Sequence, residues 1–230
     1  MKILIIDNNI DPEWWGSKNL CTLARLAPDA TIYVRRGPQG DLPKNPGDFD
    51  RIIVSGSKTS SMENAPWIDQ LLDFVRRTVD QQIPYLGVCY GHQTLVRALG
   101  GVDLLRIAEN AEFGWTQIQV TDPSSLLKNM PKSFYTFSAH FEEAHQLPKG
   151  MKKLAESKDC SIQACQLENL PIFGIQFHPE KTLDEAKKIL KKRKEEGSPL
   201  VLLHPTRSDE LYNPKLGETL FTNFLSKEMT

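Results

Sequence analysis

Long apolar runs and one-sided charge are both missing from this chain. No stretch approaches the ~20 apolar residues that a membrane-spanning helix needs, and 28 basic against 29 acidic residues leave a net charge of −1. A near-neutral chain has no electrostatic footprint for nucleic acid or for an anionic membrane surface, so we expect neither as a partner. The apolar run in residues 1–7 is too short for a signal peptide, and we interpret it as a first strand.

Cysteine is scarce, and a nucleotide-binding loop is absent. Four cysteines in 230 residues do not suggest a disulfide framework. Cys160 and Cys165 are spaced C-x4-C, but no companion Cys/His pair lies nearby, so we expect no metal site. This usage best fits a reducing cytoplasm. The pattern G-x-x-x-x-G-K-[ST] does not occur, and the length leaves little room for an ATP-dependent module.

What is present is an alternation of strand-length apolar runs with amphipathic segments. It favours an α/β fold with an open, mostly parallel, doubly wound sheet and helices on both faces. Shorter alternating runs between residues 114 and 166 predict an antiparallel extension. We expect residues 1–230 to form one domain. The predicted strands are residues 3–6, 31–35 and 51–54, and the predicted helices are residues 17–26 and 67–79.

Residues 87–93, Gly-Val-Cys-Tyr-Gly-His-Gln, are the most informative segment. A strand is predicted at residues 82–86 and a helix at residues 93–99, so Cys89 stands where a strand becomes a helix. The pattern G-x-C-x-G is the thiol counterpart of the G-x-S-x-G nucleophile elbow, where small residues keep side chains away from the nucleophile. The N-terminus of a helix also favours a thiolate. The alternative is a buried structural cysteine at the end of a strand.

A second segment offers a base for that thiol. A predicted strand at residues 172–177 ends in His178-Pro179-Glu180. A thiol nucleophile needs a base, and the base needs a third group that holds its ring. The spacing lets the Glu180 carboxylate reach the Nδ1–H of His178, which leaves Nε2 for the thiol. A surface turn is the equal alternative for this segment alone, but beside the elbow it predicts a base and its orienting group.

Two other groups near these motifs remain ambiguous. His92 is a rival base by proximity, but its place in the helix points it away from the thiol, so we expect it to pack or to hydrogen-bond. Glu112 and Trp115 lie on a glycine-containing turn and line the pocket in one interpretation. In the equal alternative Glu112 is a buried carboxylate satisfied by backbone donors.

These motifs together resemble the class I (triad-type) glutamine amidotransferases. Residues 87–93 match the family's cysteine elbow and residues 176–180 its histidine–glutamate turn. Residues 53–57 resemble its oxyanion turn, and residues 138–142 resemble the segment that cradles the amino-acid end of glutamine. The resemblance covers about residues 1–181 and 216–225 and implies a flavodoxin-like fold. The overall pattern is similar to stand-alone GMP-synthase-like and γ-glutamyl peptidase-like members.

The resemblance implies that Cys89, His178 and Glu180 are catalytic. Ala139 and Glu142 stand where serine and aspartate are usual. Many members have two glycines in the oxyanion turn, and a serine at position 57 would be strained there if that residue needed a positive φ. The implied oxyanion and substrate-binding residues are Gly56, Ser57, Tyr90, Gln93, His140 and Phe141.

The implied reaction is hydrolysis of the γ-amide of glutamine through a γ-glutamyl thioester, which requires no metal or organic cofactor. Because the chain lacks a synthetase module, the ammonia would pass to a separate ammonia-accepting synthetase subunit. The alternative is a free-standing γ-glutamyl peptide hydrolase with the same triad. A non-catalytic binding or regulatory module that kept the fold is the less favoured third interpretation.

Residues 182–214 depart from the family pattern as an insertion before the last helix, which is predicted at residues 216–225. The insertion is predicted to begin with a lysine-rich helix at residues 184–196, and residues 200–203 form an apolar run. We interpret the lysines as a solvated face and the apolar run as a strand or tether on the domain's own surface. A lid or docking surface is the functional alternative.

Overall fold

The computed structural model describes residues 1–11, 16–197 and 200–226. Its helices are α1 (Lys18–Ala24), α2 (Pro66–Asp80), α3 (Tyr90–Gly100), α4 (Leu183–Glu195), α5 (Ser208–Leu211) and α6 (Pro214–Leu225). Its strands are β1 (Lys2–Asp7), β2 (Thr31–Arg36), β3 (Arg51–Val54), β4 (Tyr85–Val88), β5 (Leu105–Val120), β6 (Ser133–Ala144), β7 (Met151–Glu156), β8 (Ala164–Leu167), β9 (Ile172–Ile175) and β10 (Leu202–Leu203). None of these helices has the length and apolarity needed to cross a bilayer.

The strands of the described residues form one ten-stranded sheet in the order β10-β5-β7-β8-β9-β4-β3-β1-β2, with β6 paired to β5. The section β2-β1-β3-β4-β9 is parallel. One face packs on α1 and α6 and the other on α2 and α3, each through a buried apolar layer. The predicted doubly wound α/β sheet is therefore confirmed.

The parallel section brings four strand ends to one edge of the sheet. Asn8 follows β1, Ser55 follows β3, Cys89 follows β4 and Gln176 follows β9. Because ligands bind outside the carboxyl ends of the strands in such sheets, this edge is where a site is expected.

Antiparallel pairing of β5 with β6 and β7, and of β8 with β7 and β9, forms the predicted extension. It begins at Leu105, earlier than residue 114. The β5–β6 ladder has an irregularity between Ile107 and Glu112. That irregularity hides the hydrophobic alternation over the first part of β5, so the pattern became recognisable only further along.

Among the individually predicted helices and strands, the largest boundary errors flank the elbow. The strand predicted at residues 82–86 is β4, Tyr85–Val88, and the helix predicted from residue 93 begins at Tyr90. Gln82 has a φ of 54° and the N–H of Ile83 bonds to the carbonyl of Thr78, so this stretch ends α2 rather than starting a strand. The strand predicted at residues 172–177 ends at Ile175.

The predicted insertion, described over residues 182–197 and 200–214, packs on the β5–β6 hairpin. Helix α4 begins with a capping box between Thr182 and Glu185, and its lysines are exposed. Strand β10 pairs in parallel with Phe113 and Gly114 of β5. The predicted solvated face and surface strand are confirmed, while a role as lid stays a prediction. The apolar cluster beneath the insertion consists of Phe113, Trp115, Phe137, Ala186, Leu190 and Leu211, with partly buried neighbours.

Candidate active site

Cys89 occupies a strained turn between β4 and α3. Its φ of 51° and ψ of −101° lie outside the regions that non-glycine residues normally adopt. Such strain is typical of functional positions held in place by their surroundings. A Cβ on Gly87 would lie 2.3 Å from the carbonyl oxygen of Gly91, and a Cβ on Gly91 would lie 2.2 Å from that of Val54. The two glycines therefore allow the strand and the helix to approach closely enough to form the elbow.

His178 contacts both Cys89 and Glu180. Its Nδ1 lies 2.7 Å from Oε1 of Glu180, and its ring lies beside Cys89, since a Cβ on Gly56 would meet both residues. Burial lowers the pKa of His178, but the negative charges of Glu180 and Cys89 outweigh burial and raise the pKa to about 10. Burial raises the pKa of Glu180, whereas the positive charge of His178 brings it below its usual value. The raised pKa of His178 and the lowered pKa of Glu180 favour an imidazolium–carboxylate pair near neutral pH.

The turn after β3 lies directly against this pair. A Cβ on Gly56 would lie 3.0 Å from Cε1 of His178 and 3.6 Å from Cβ of Cys89. The φ of Ser57 is not positive, so the strain considered for a serine here does not arise. Its hydroxyl donates to the carbonyl of Asn8 at 2.8 Å, which ties the turn to the end of β1. The N–H of Tyr90 opens α3 and so has no intrahelical acceptor.

Gln93 lies in α3 with its side-chain amide turned toward the site. Its Nε2 donates to the carbonyl of Glu142 at 2.6 Å and to Oε1 of Gln176 at 3.1 Å. Gln176, which opens the histidine–glutamate turn but had no role predicted from the sequence, donates through Nε2 to Sγ of Cys89 at 3.5 Å. The signal that could have found it is a polar residue inside an otherwise apolar run.

Glu142 connects the end of β6 to the loop that follows the Gly56-Ser57 turn. One carboxylate oxygen accepts from the hydroxyl of Ser60. The other accepts from the backbone N–H of Ser61 at 2.7 Å and from its hydroxyl at 2.6 Å. The glutamate found where aspartate is usual therefore fixes this loop against the candidate substrate segment.

His140 and Phe141 lie on opposite sides of β6. His140 is buried, with Nδ1 3.2 Å from the carbonyl of Glu142 and Nε2 2.9 Å from Oε2 of Glu112. Phe141 is 44% exposed, and its ring centre lies 5.9 Å from the guanidinium carbon of Arg193 on α4. None of these contacts is with Cys89, His178 or Glu180, and the roles of both side chains in binding substrate stay predictions.

Glu112, His140 and Cys160 bring potential metal-binding atoms within 4.8 Å of one another. The carboxylate of Glu112 is already engaged by Nε2 of His140, by the hydroxyl of Ser157 and by Nε2 of Gln163. Its hydrogen-bonding capacity is thus met by protein side chains, and we interpret it as a buried structural carboxylate. Trp115 likewise serves structure, because its Nε1 donates to Oγ of Ser208 in the insertion at 2.9 Å.

His92 is fully buried on the other side of α3. Its Nδ1 lies 3.5 Å from Sγ of Cys165, and a Cβ on Gly174 would lie 2.3 Å from the same nitrogen. Burial lowers the pKa of His92 to about 3, so the ring is neutral. His92 packs in the interior, as expected from its place in the helix.

Comparison with known proteins identifies the family. Residues 30–195 match the model of the family described as Glutamine amidotransferase class-I. The chain belongs to this family. It is therefore an enzyme of the cysteine amidohydrolase type.

Its relatives carry one recurring name. The chain is 34% identical over 163 residues to a subunit of glutamine-hydrolyzing GMP synthase from Pyrococcus furiosus, covering 69% of this chain and 80% of that protein. It is 37% identical over 98 residues to the protein of the same name from Thermococcus kodakarensis, covering 43% of this chain and about half, 51%, of the relative.

The fold has solved counterparts. A glutamine amidotransferase from Methylobacillus flagellatus is similar with a TM-score of 0.80 and 22% identity, covering 97% of this chain and 94% of that chain. At this level of identity the likeness supports the fold, which is the flavodoxin-like fold of class I glutamine amidotransferases.

Proposed function

We propose that this chain hydrolyses the γ-amide of glutamine, with Cys89 as nucleophile, His178 as acid and base, and Glu180 as the group that orients His178. The observation that carries the proposal is the strained turn at Cys89, which lies beside a histidine held 2.7 Å from a buried glutamate. A structural cysteine needs neither the strain nor the histidine.

The first half-reaction is acylation of Cys89. The thiolate attacks the amide carbon, and the carbonyl oxygen becomes an oxyanion. His178 transfers its proton to the leaving nitrogen, ammonia departs, and a γ-glutamyl thioester remains. Glu180 holds Nδ1, so that Nε2 faces the reacting atoms.

The second half-reaction is hydrolysis of the thioester. With the sulfur acylated, one of the negative charges that raise the pKa of His178 is gone, so its ring more readily gives up its proton and is free to act as a base. His178 then takes a proton from water, hydroxide adds to the thioester carbon, and glutamate leaves as the thiolate is regenerated.

The oxyanion of both steps is assigned to backbone donors of Tyr90 and of the Gly56-Ser57 turn. This assignment is supported by the free N-terminal end of α3 and by the position of Gly56 against Cys89 and His178. Loss of one such donor costs on the order of a hundredfold or more in rate. Gln93, His140 and Phe141 are proposed to border the glutamine itself.

The ammonia is proposed to pass to a separate synthetase subunit. Relatives named as one subunit of a glutamine-hydrolyzing GMP synthase support this proposal. In this proposal the partner subunit would supply the acceptor chemistry.

The test is product analysis after incubating the purified chain with glutamine and, separately, with a panel of γ-glutamyl dipeptides. Cys89→Ala is the inactive variant and Cys21→Ala, in α1, is the matched control. Release of ammonia from glutamine that Cys89→Ala loses and Cys21→Ala retains would support the proposal. Turnover of the dipeptides alone would replace it with a γ-glutamyl peptide hydrolase.

If the purified chain hydrolyses neither glutamine nor the dipeptides, the assay is repeated with the ammonia-accepting synthetase that is encoded beside it or that copurifies with it. Stimulated glutamine hydrolysis in that mixture supports the proposal, since the oxyanion donors would then depend on the partner. A Cys89→Ala variant that keeps every activity of the mixture would instead indicate a binding module.

A further inference from the structure

Two glutamine side chains that are distant from each other in sequence form a line of hydrogen bonds ending at the sulfur of Cys89. The line starts at the carbonyl oxygen of Glu142, passes through Gln93 and Gln176, and reaches Sγ at 3.5 Å. Gln176 is fully buried and Gln93 nearly so. Buried amides of this kind are held in place because each lost bond would leave an unpaired polar group.

The donor and acceptor of each hydrogen bond in this line follow from the backbone carbonyl of Glu142, where the line starts. A backbone carbonyl can only accept, so the group of Gln93 that meets Glu142 is its NH₂. The second hydrogen of the same NH₂ meets Gln176, whose amide therefore presents its oxygen to Gln93. The NH₂ of Gln176 is left to face Cys89, and the amide cannot be flipped without two donors meeting.

We propose that Gln176 is a further catalytic residue, which donates a hydrogen bond to the Cys89 thiolate, and that Gln93 is the positioning residue that fixes its amide. The assignment deepens the proposed function, because it takes Cys89 as the nucleophile. It also gives Gln93 a task besides contact with glutamine, since both hydrogens of its amide are engaged inside the protein.

A donor on the sulfur acts at two points of the reaction. In the free enzyme it stabilises the anion over the neutral thiol, as hydrogen bonds to charged groups do. In the second half-reaction the sulfur leaves the thioester carbon as a thiolate, and the same N–H meets the charge that develops there. Gln176 neither gains nor loses a proton and remains a neutral amide throughout.

The far end of the line is itself anchored. The carboxylate of Glu142 is bound by Ser60 and Ser61, while its carbonyl holds Gln93. A displacement of the loop after the oxyanion turn would therefore reach the sulfur through Gln93 and Gln176.

The test is the pH dependence of alkylation of Cys89 by iodoacetamide, with the adduct located by mass spectrometry in the full chain. The variants are Gln176→Met and Gln93→Met. The matched control is Gln166→Met, a buried glutamine of β8 whose amide bonds to the carbonyl of Leu170. Thermal unfolding of each variant is measured alongside.

For Gln176→Met we expect the midpoint of the alkylation curve to rise by about one pH unit, the size of one hydrogen bond to a charged group. Gln93→Met should shift it in the same direction by less, and Gln166→Met should leave it in place. An unshifted midpoint in folded Gln176→Met overturns the proposal. If Gln176→Met does not fold, Gln93→Met decides by the same criterion.

Alkylation needs no glutamine, so the result is independent of what the enzyme hydrolyses. A chain that fails to release ammonia can still show the shift. An active glutaminase without the shift would retain its proposed function and lose only the role of Gln176.

Discussion

Nδ1 of His178 lies 2.7 Å from Oε1 of Glu180, with only Pro179 between the two residues. The proline restricts the backbone of this turn, and the N–H of His178 is fixed by a bond of 2.7 Å to the carbonyl of Phe137 on β6. The proposed base and its proposed orienting carboxylate therefore form a local unit, which the sheet then places beside Cys89.

Glu180→Gln should move the alkaline limb of activity to lower pH. In the wild type burial lowers the pKa of His178, but the anions of Glu180 and Cys89 raise it to about 10. Without the Glu180 carboxylate less negative charge opposes the effect of burial. The pKa of His178 therefore falls, and its ring loses its proton at a lower pH. We also expect a fall in kcat/KM of roughly a hundredfold or more, because the ring loses its orienting anion. The measurement is kcat/KM between pH ~6 and ~11, the range that brackets the raised pKa.

The raised pKa of His178 also predicts how stability depends on pH. The folded-state pKa of His178 exceeds its ordinary value of 6.5, so this group stabilises the fold fully below that value and loses its effect as the pH rises to about 10. The difference in unfolding free energy between wild type and Glu180→Gln should therefore shrink across that window. A constant difference would contradict the raised pKa.

Gly56→Ala should impair turnover with little loss of stability. The new Cβ would lie 3.0 Å from Cε1 of His178, so the ring must shift by a few tenths of an ångström from its place beside Cys89. We expect roughly a tenfold or greater fall in kcat, since small displacements of reacting groups are costly. Ser57→Ala is the comparison within the same turn. If the oxyanion donors are backbone groups, it should reduce kcat less than Gly56→Ala does.

Gly91→Ala should destabilise the protein although it replaces a glycine within a helix. Such a change ordinarily stabilises an exposed helix by about 1 kcal/mol. Here the Cβ would lie 2.2 Å from the carbonyl oxygen of Val54, and overpacking of this kind costs about 1–3 kcal/mol or more. Urea unfolding would measure the sign, and a stabilised variant would show that α3 can move away from β3.

Leu190→Ala should destabilise the protein without changing the chemistry at Cys89. Leu190 is buried on α4 in the cluster beneath the insertion, and removing such a side chain costs about 2–5 kcal/mol. Lys191→Ala, at the exposed neighbouring position, is the control and should stay within about 0.5 kcal/mol of wild type. Urea unfolding gives both values.

Iodoacetamide alkylation of Cys89 distinguishes the two roles of the insertion. An unchanged alkylation rate in Leu190→Ala is expected if α4 serves packing. A changed rate in a variant that remains folded would favour the lid.

Most of the architecture followed from local patterns. The predicted strands of the parallel section and helices α1, α2, α4 and α6 agree with the structure within two residues at each end, apart from β4. Amphipathic periodicity locates such elements because each must bury one face. The errors at residues 82–86 and 93 arose where Gln82 and Cys89 adopt positive φ, which apolar periodicity does not reveal.

The main residues of the candidate site lie in short sequence motifs. Gly87 and Gly91 around Cys89, and Pro179 between His178 and Glu180, are constraints between neighbours, so they can be recognised without coordinates. The folded structure was needed for contacts such as Gln176 to Cys89 and Trp115 to Ser208, whose partners are 87 and 93 positions apart.

The folded structure was also needed to show that side chains donate hydrogen bonds to the Glu112 carboxylate and that the φ of Ser57 is not positive. A hydrogen bond between residues that are distant in sequence depends on where the sheet places their backbones. A local sequence pattern does not contain this information. The hydrogen bonds that link Gln93 through Gln176 to Cys89 could therefore be identified only from the paired strands.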